Sequence, residues 1–155
     1  MKTKTGWLLR AGAGFTLIEL LIVIVLIGVL SFLAMPLFRD FINFSSLKKD
    51  AWSLQAAMRA CRQQAIAEHL NYRFIFDTAA DSYTIEKRDP ATGALLATVR
   101  TENFENDLIS AAAVTFRPRG ETDVASTISI RGEKSADTVT LSVQAATGLV
   151  SMTGL

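Results

Sequence analysis

The side chains that could support catalysis are few and far apart in this sequence. His69 is the sole histidine and Cys61 the sole cysteine. Neither stands in an HExxH, a CxxC, a Ser-His-Asp order or a glycine-rich phosphate loop. Glu102 and Glu105 form a pair of carboxylates, which is also ordinary for a polar loop and would need a cleft to act as acid and base. The sequence therefore predicts a protein that is not an enzyme and that holds no cofactor and no metal.

One carboxylate occupies a costly place. Glu19 closes the segment Gly14–Glu19, which reads GFTLIE and precedes an uncharged apolar run from Leu20 to Phe38. The run has about the length of a bilayer-spanning helix. A carboxylate at the centre of a bilayer costs roughly 2.5–3.5 kcal/mol on insertion scales, and less near the interface. We therefore expect Glu19 to have a role that offsets this cost.

The apolar run does not resemble an ordinary secretory signal. Such a signal is cleaved after its apolar stretch, with small residues at the last and third-last positions. If cleavage followed Ala34, the third-last position would be Phe32, which is large. Cleavage at this end is therefore disfavoured. Because Cys61 has no second cysteine with which to pair, the sequence also excludes an intrachain disulfide and favours a small buried side chain on a helix.

The segment GFTLIE between a basic leader and an apolar run resembles the class III signal of type IV prepilins and type II secretion pseudopilins. The resemblance implies that a prepilin peptidase cuts between Gly14 and Phe15 and that Phe15 is then N-methylated. It also implies that Glu19 meets the new amino terminus of a neighbouring subunit during assembly. From spacing alone the pair could equally form within one chain, since Phe15 and Glu19 are about one helical turn apart.

Charge predicts the orientation of the chain. Lys2, Lys4 and Arg10 precede the apolar run and favour a cytoplasmic amino terminus, with the remainder in the periplasm. We predict four segments: a cleaved leader (1–14), a transmembrane helix (15–38), an amphipathic half of the same helix (39–70) and a periplasmic β-sheet domain (71–155). Pro36 is predicted to bend the helix near the end of the span.

After the apolar run that ends at Phe38, the spacing of apolar residues indicates first a helix and then a series of strands. Lys48, Lys49 and Asp50 are predicted on the polar faces of the helix, and a coiled coil is the alternative to packing on a sheet. The apolar face recurs at steps of three and four residues: Phe44, Leu47, Ala51, Leu54, Met58, Cys61 and Ala65. Seven strands are predicted from period-two segments: 72–77, 82–87, 95–100, 114–117, 127–131, 138–143 and 148–152. Residues 101–107 and 120–125 are predicted as loops. The fold class is therefore α+β, a pilin-like long helix packed on antiparallel sheets.

The carboxy-terminal strands resemble those of the H-type minor pseudopilins and their pilus relatives, the GspH/FimT family. This resemblance implies a structural subunit at the tip of the periplasmic pseudopilus of a type II secretion system. Its implied partners are the prepilin peptidase, other major and minor pseudopilins, an inner-membrane assembly platform and secreted exoproteins. Leu149 stands where that family often has a basic residue after the last glycine, and the chain lacks the cysteine pair of many major pilins.

The alternative function is a minor pilin that primes a type IV pilus for adhesion, twitching or DNA uptake. A weak DNA patch could comprise Arg117, Arg119, Arg131 and Lys134. Acidic residues interrupt this set, and the sequence favours an ordinary solvated surface over a nucleic-acid partner. Removal of residues 1–14 would leave 13 basic side chains against 15 acidic ones, which gives no excess of positive charge.

Overall fold

The computed structural model describes residues 15–133 and 136–154, and it describes the backbone but not the side chains of Pro36, Leu37, Arg39 and Asp40. The predicted leader, including Gly14, and Lys134 lie outside the described residues. The chain divides into two compact units, one that ends at Phe38 and one that comprises Arg39–Leu155.

A single helix, α1, runs from Leu17 to Glu68 and contains 52 residues. Its first half is rich in leucine, isoleucine and valine, and its second half alternates apolar and polar residues with helical period. The helix ends where His69 adopts a positive φ of 56°, and the first strand begins two residues later. The prediction of one long helix is confirmed.

Eight strands follow and form two sheets in which all neighbours are antiparallel. The strands are β1 (Asn71–Asp77), β2 (Ser82–Arg88), β3 (Leu95–Asn103), β4 (Asp107–Ser110), β5 (Val114–Phe116), β6 (Ser126–Arg131), β7 (Thr138–Val143) and β8 (Val150–Thr153). The strand orders are β3-β2-β1-β5 and β4-β6-β7-β8. The pilin-like α+β class predicted from the sequence is confirmed.

Each predicted strand is present, with ends that shift by up to three residues. Two predictions about the region before β5 were wrong. Strand β4 was missed because four residues, two of them polar, are too short to show a period of two. The predicted loop at 101–107 is only partly a loop, because β3 continues through Asn103 and pairs with β2 as far as Ser82.

The core of the second unit lies between α1 and both sheets. The apolar face of α1 that the sequence predicts is buried from Leu47 to Ala65, and Phe44 at its start is half-buried. From the sheets, the largest fully buried side chains are Tyr72, Tyr83, Phe74, Phe116, Ile128, Ile130 and Leu141. Helix and sheets share one hydrophobic cluster, which favours packing on a sheet over the coiled-coil alternative.

Candidate functional site

The head of α1 presents residues 15–19, the described part of the GFTLIE segment, to the outside. Phe15 and Thr16 precede the helix, and the Thr16 hydroxyl accepts a hydrogen bond from the Glu19 backbone N–H at 3.3 Å. The Thr16 carbonyl accepts the first helical bond from Leu20 at 3.2 Å. Thr16 is therefore the N-cap of α1, and Glu19 stands three residues later in the place of the acidic member of a capping box.

The segment from Leu17 to Met35 is long and apolar enough to cross a membrane, with a mean hydropathy of 3.0 over 19 residues. No residue of this segment is buried within the described part of the chain. A helix that is apolar all round and packs on nothing in its own chain is suited to lipid or to other helices. Within the part of the chain that the structure describes, Glu19 is the only acidic residue of the segment.

The structure describes Pro36 and Gly28 of α1 to different extents. Helical backbone continues through Pro36, and the predicted bend there stays a prediction. Gly28 has open space around it, since a Cβ atom added there would meet nothing within 4 Å. Gly28 is therefore not a close-packing site among the described residues.

Asp50 was predicted on a polar outer face of α1, and this was wrong, because its side chain is 6% exposed. One carboxylate oxygen, Oδ2, accepts hydrogen bonds from the backbone N–H groups of Glu105 and Asn106 at 2.9 and 3.1 Å and from the Asn106 side-chain amide at 2.8 Å. The side-chain oxygen of Asn106, Oδ1, accepts a hydrogen bond from the backbone N–H of Glu133 at 3.3 Å. Asp50 thus joins the helix to the connection between β3 and β4 and, through Asn106, to the connection after β6.

Two pairs of arginines lie near the contact of α1 with the connection after β5: Arg59 and Arg62 on the helix, and Arg117 and Arg119 in the connection itself. Arg62 donates its Nε–H to the Gly120 carbonyl at 2.9 Å. Gly120 belongs to the connection between β5 and β6, and this connection also contains Arg117 and Arg119. Arg59, one turn earlier, directs Nη2 toward the Val150 carbonyl at 3.5 Å. We refer to Arg59, Arg62, Arg117 and Arg119 as the arginine surface.

Two glycines allow the connections after β5 and β7 to pack closely against Arg62 of α1. Gly120 and Gly148 have backbone φ angles of +82° and +61°, which residues other than glycine rarely adopt. A Cβ atom on Gly148 would lie 2.1 Å from the Gly120 carbonyl oxygen and 3.0 Å from Arg62 Nε. The Thr122 N–H also donates to the Ala145 carbonyl at 2.9 Å, which holds the two connections together.

The structure does not bring all four residues of the predicted DNA patch together. Arg117 and Arg119 line one cavity of about 390 Å³, and Arg117 faces Glu121 at 4.0 Å. Arg131 lies on β6 in the other sheet and pairs with Asp107 at 3.1 Å. Lys134 lies outside the described residues. DNA binding by this set stays a prediction.

The candidate catalytic side chains are occupied by structural contacts. Burial raises the pKa of the Cys61 thiol to about 11, which keeps it protonated at neutral pH. The Glu102 carboxylate accepts a hydrogen bond from the Tyr83 hydroxyl at 2.7 Å and pairs with Arg100. Both contacts, and the Tyr83 bond most, lower the pKa of Glu102. Glu105 pairs with Lys49, and His69 follows the last residue of α1, Glu68, whereas the predicted helix extended to residue 70.

Sequence reasoning missed Asp50, Arg59 and Arg62 as members of sites. A signal for Asp50 was present in its spacing, because Leu47, Asp50 and Leu54 recur at three and four residues and so share one helical face. No local signal pointed to Arg59 and Arg62. The Val150 carbonyl that Arg59 contacts lies 91 residues further along the chain, and the Gly120 carbonyl that Arg62 contacts lies 58 residues further.

Fold and amino-terminal motif together define a type IV pilin-like protein, with an apolar amino-terminal helix that continues into a helix packed on antiparallel sheets. Residues 9–35 match the family described as the prokaryotic N-terminal methylation motif. The type IV major alpha-pilin of Moraxella bovis is 28% identical over 136 residues, which is 84% of each chain.

Two solved structures share the fold of the chain. The type IV minor pilin FimU of Pseudomonas aeruginosa superposes with a TM-score of 0.57 at 20% identity, over 73% of this chain and 92% of that one. The minor pseudopilin EpsH from the type 2 secretion system of Vibrio cholerae superposes with a TM-score of 0.56 at 15% identity, over 70% of this chain and 97% of that one. The chain is thus similar both to a minor pilin and to a minor pseudopilin.

Proposed function

We propose that the chain is a minor pseudopilin, a structural subunit at the tip of the periplasmic pseudopilus of a type II secretion system. The observation that carries this proposal is the GFTLIE segment at the head of an unpartnered 19-residue apolar helix, joined to a sheet domain with the fold of EpsH. The carboxy-terminal strands, which resemble those of H-type minor pseudopilins, add support. The function is one of assembly, and no step of it needs catalysis by this chain.

The subunit is inserted in the inner membrane with its amino terminus in the cytoplasm and its sheet domain in the periplasm. The prepilin peptidase cuts between Gly14 and Phe15, which creates an α-ammonium group at Phe15, and then methylates it. Because Thr16 caps α1, Phe15 precedes the helix and its new ammonium stands beside the positive end of the helix dipole. A carboxylate nearby is needed to stabilise that charge.

Glu19 of one subunit supplies this carboxylate to Phe15 of the next. In a low-dielectric setting opposite charges attract strongly, but loss of hydration offsets much of the gain, so the pair contributes mainly to register. The apolar surface of residues 17–35, which is covered by lipid before assembly, is covered by neighbouring helices afterwards. An inner-membrane platform adds the subunit to the fibre, and the sheet domain faces other pseudopilins and secreted exoproteins.

A second candidate is a minor pilin that primes a type IV pilus. The likeness to FimU, whose TM-score equals that of EpsH within 0.01, and the relative named a type IV major pilin favour this candidate. Both functions use the same processing of Phe15 and the same membrane helix. They differ in which fibre receives the subunit.

The processing step is tested by intact-mass measurement and amino-terminal sequencing of the full chain from membranes of cells with and without prepilin peptidase. We expect a mature chain that begins at N-methylated Phe15, and we expect the full-length chain when the peptidase is absent. Gly14→Val should block cleavage, because a branched side chain obstructs the peptidase, whereas the matched variant Gly12→Val should still be cleaved. A chain cut near residue 34, or left uncut in wild-type cells, would refute the proposal.

Assignment to one of the two fibres is tested by deletion of the gene. Loss of exoprotein secretion with surface pili retained is the expected result, and restoration by wild type but not by Glu19→Ala would tie it to assembly. Loss of pili with secretion intact would instead assign the chain to the type IV pilus.

A further inference from the structure

The arginine surface carries positive charge that the described part of the chain does not neutralise. The described residues form six ion pairs, and only one, that of Arg117 with Glu121 at the long distance of 4.0 Å, involves this surface. Arg59 and Arg62 donate only to backbone carbonyls. Apart from that long contact, no ion pair among the described residues involves these four guanidinium groups, which leaves positive charge that attracts anionic groups.

Apolar side chains are exposed within the same surface. Leu149 is 56% exposed and Ile66 is 41% exposed. Leu149 lines a cavity of about 200 Å³ together with Arg59, Arg62 and the backbone of Gly148. Arginine is enriched at protein–protein interfaces, and the fully buried core of an interface is more apolar than the rest of the surface.

The neighbouring cavity of about 390 Å³ adds a third kind of contact. Pro90 and Pro118 give it apolar walls, and Arg117 and Arg119 give it charge. Asn71 also lines it, and its amide oxygen is buried without a hydrogen-bond partner among the described residues. That oxygen is enclosed by the protein, so the contact available in this cavity is with the exposed side chains of Arg117 and Arg119.

We infer that the arginine surface, with its two cavities, binds a carboxylate-rich loop of another pilin-like subunit in the same fibre. This inference rests on the proposed function. Carboxylates would pair with Arg59 and Arg119, and an aliphatic side chain would pack on Leu149. The Gly120–Gly148 contact holds both connections against α1 before binding, so little ordering of the backbone opposes association.

The observations favour a protein over a nucleic acid. The two cavities are separate, and Glu121 lies beside Arg117 and Arg119 in the cavity of about 390 Å³, so they do not form a continuous basic groove that follows a phosphate backbone. The predicted contribution of Arg131 to a nucleic-acid patch is also reduced by its pairing with Asp107.

The test places a photo-crosslinking amino acid at Leu149 of the full chain in its host and identifies the crosslinked peptide by mass spectrometry. Leu96, which is 53% exposed on β3 of the other sheet, is the matched control position. We expect the Leu149 adduct to contain an Asp- or Glu-rich peptide of another pilin-like subunit. The double variant Arg59→Gln, Arg119→Gln should reduce that adduct about tenfold, as expected for the loss of two interfacial charge pairs.

Lys49→Gln, Arg131→Gln is the matched charge control, because it removes two exposed cations that lie outside the surface, and it should leave the adduct unchanged. Absence of an adduct, an adduct insensitive to the arginines, or an adduct removed by nuclease would overturn the inference. Amino-terminal processing is measured in the same cells. If processing fails, the proposed function is wrong, whereas normal processing without the adduct rejects only this docking surface.

Discussion

The two halves of α1 place similar residues in opposite surroundings. From Leu17 to Met35 the helix is apolar on every side and no residue is buried. From Leu47 to Ala65 one apolar face is buried under two sheets, while Trp52 on another face is 56% exposed. The acidic residues follow the same contrast. Glu19 is exposed at the head of the helix, and Asp50 is enclosed by Glu105 and Asn106. Composition therefore decides the environment of the first half, and periodicity decides that of the second.

The two halves of α1 should differ most in how much a leucine side chain contributes to the free energy of unfolding. Leu54→Ala should lower the free energy of unfolding of the sheet domain by roughly 2–5 kcal/mol, because it empties a fully buried site. Leu26→Ala, in the apolar half, should leave that unfolding unchanged, since Leu26 contacts no core. Denaturant unfolding of the full chain in detergent, followed by near-ultraviolet circular dichroism of the buried tyrosines, measures both. Equal effects would contradict the division of the helix.

The same contrast holds for glycine. Gly148→Ala should destabilise the sheet domain by about 2–4 kcal/mol, since a positive φ and a contact of 2.1 Å with the Gly120 carbonyl both penalise the added methyl group. Gly28→Ala meets open space in a helix and should leave domain unfolding unaffected. Melting temperatures of the two variants test this. A neutral Gly148→Ala would mean that the two connections do not touch.

The two carboxylates of α1 should separate stability from assembly. Asp50→Ala leaves three N–H donors without an acceptor and should cost roughly 1–3 kcal/mol of domain stability. Glu19→Ala should leave the melting temperature unchanged and abolish incorporation into fibres. As a control, Asp107→Ala removes an exposed ion pair with Arg131 and should cost at most about 1 kcal/mol. Retained fibre incorporation by Glu19→Ala would contradict the role of that residue.

The smallest expected effect is a dependence of stability on pH. The contacts of Glu102 with Tyr83 and Arg100, and that of Glu68 with Lys87, lower the pKa of each carboxyl in the folded chain. Groups with a lowered folded pKa stabilise the fold above their unfolded pKa of about 4.3 and lose that contribution as the pH falls through the folded value. Melting temperatures between pH 7 and pH 3 should therefore fall less for Glu102→Gln than for wild type. A parallel fall in both would refute this linkage.

Much of the fold followed from local patterns. The helix, the membrane segment and seven strands were predicted because apolar length and period are properties of neighbouring residues. Strand β4 was missed because four residues carry too short a pattern, and Asp50 was placed outside because polar residues on a helix usually face water. The arginine surface was only half predicted, since Arg117 and Arg119 were identified without Arg59 and Arg62.

The sequence by itself determined the amino-terminal motif, the membrane helix and the alternation of apolar and polar residues along the strands. Each of these patterns depends only on residues that are neighbours in the chain. Only the tertiary structure decided that Asp50 is buried, that Arg62 lies beneath Gly120 and Gly148, and that Arg131 stands apart from Arg117. These features join residues 24 to 91 positions apart. Their geometry arises when the sheets close over α1, and no local pattern encodes it.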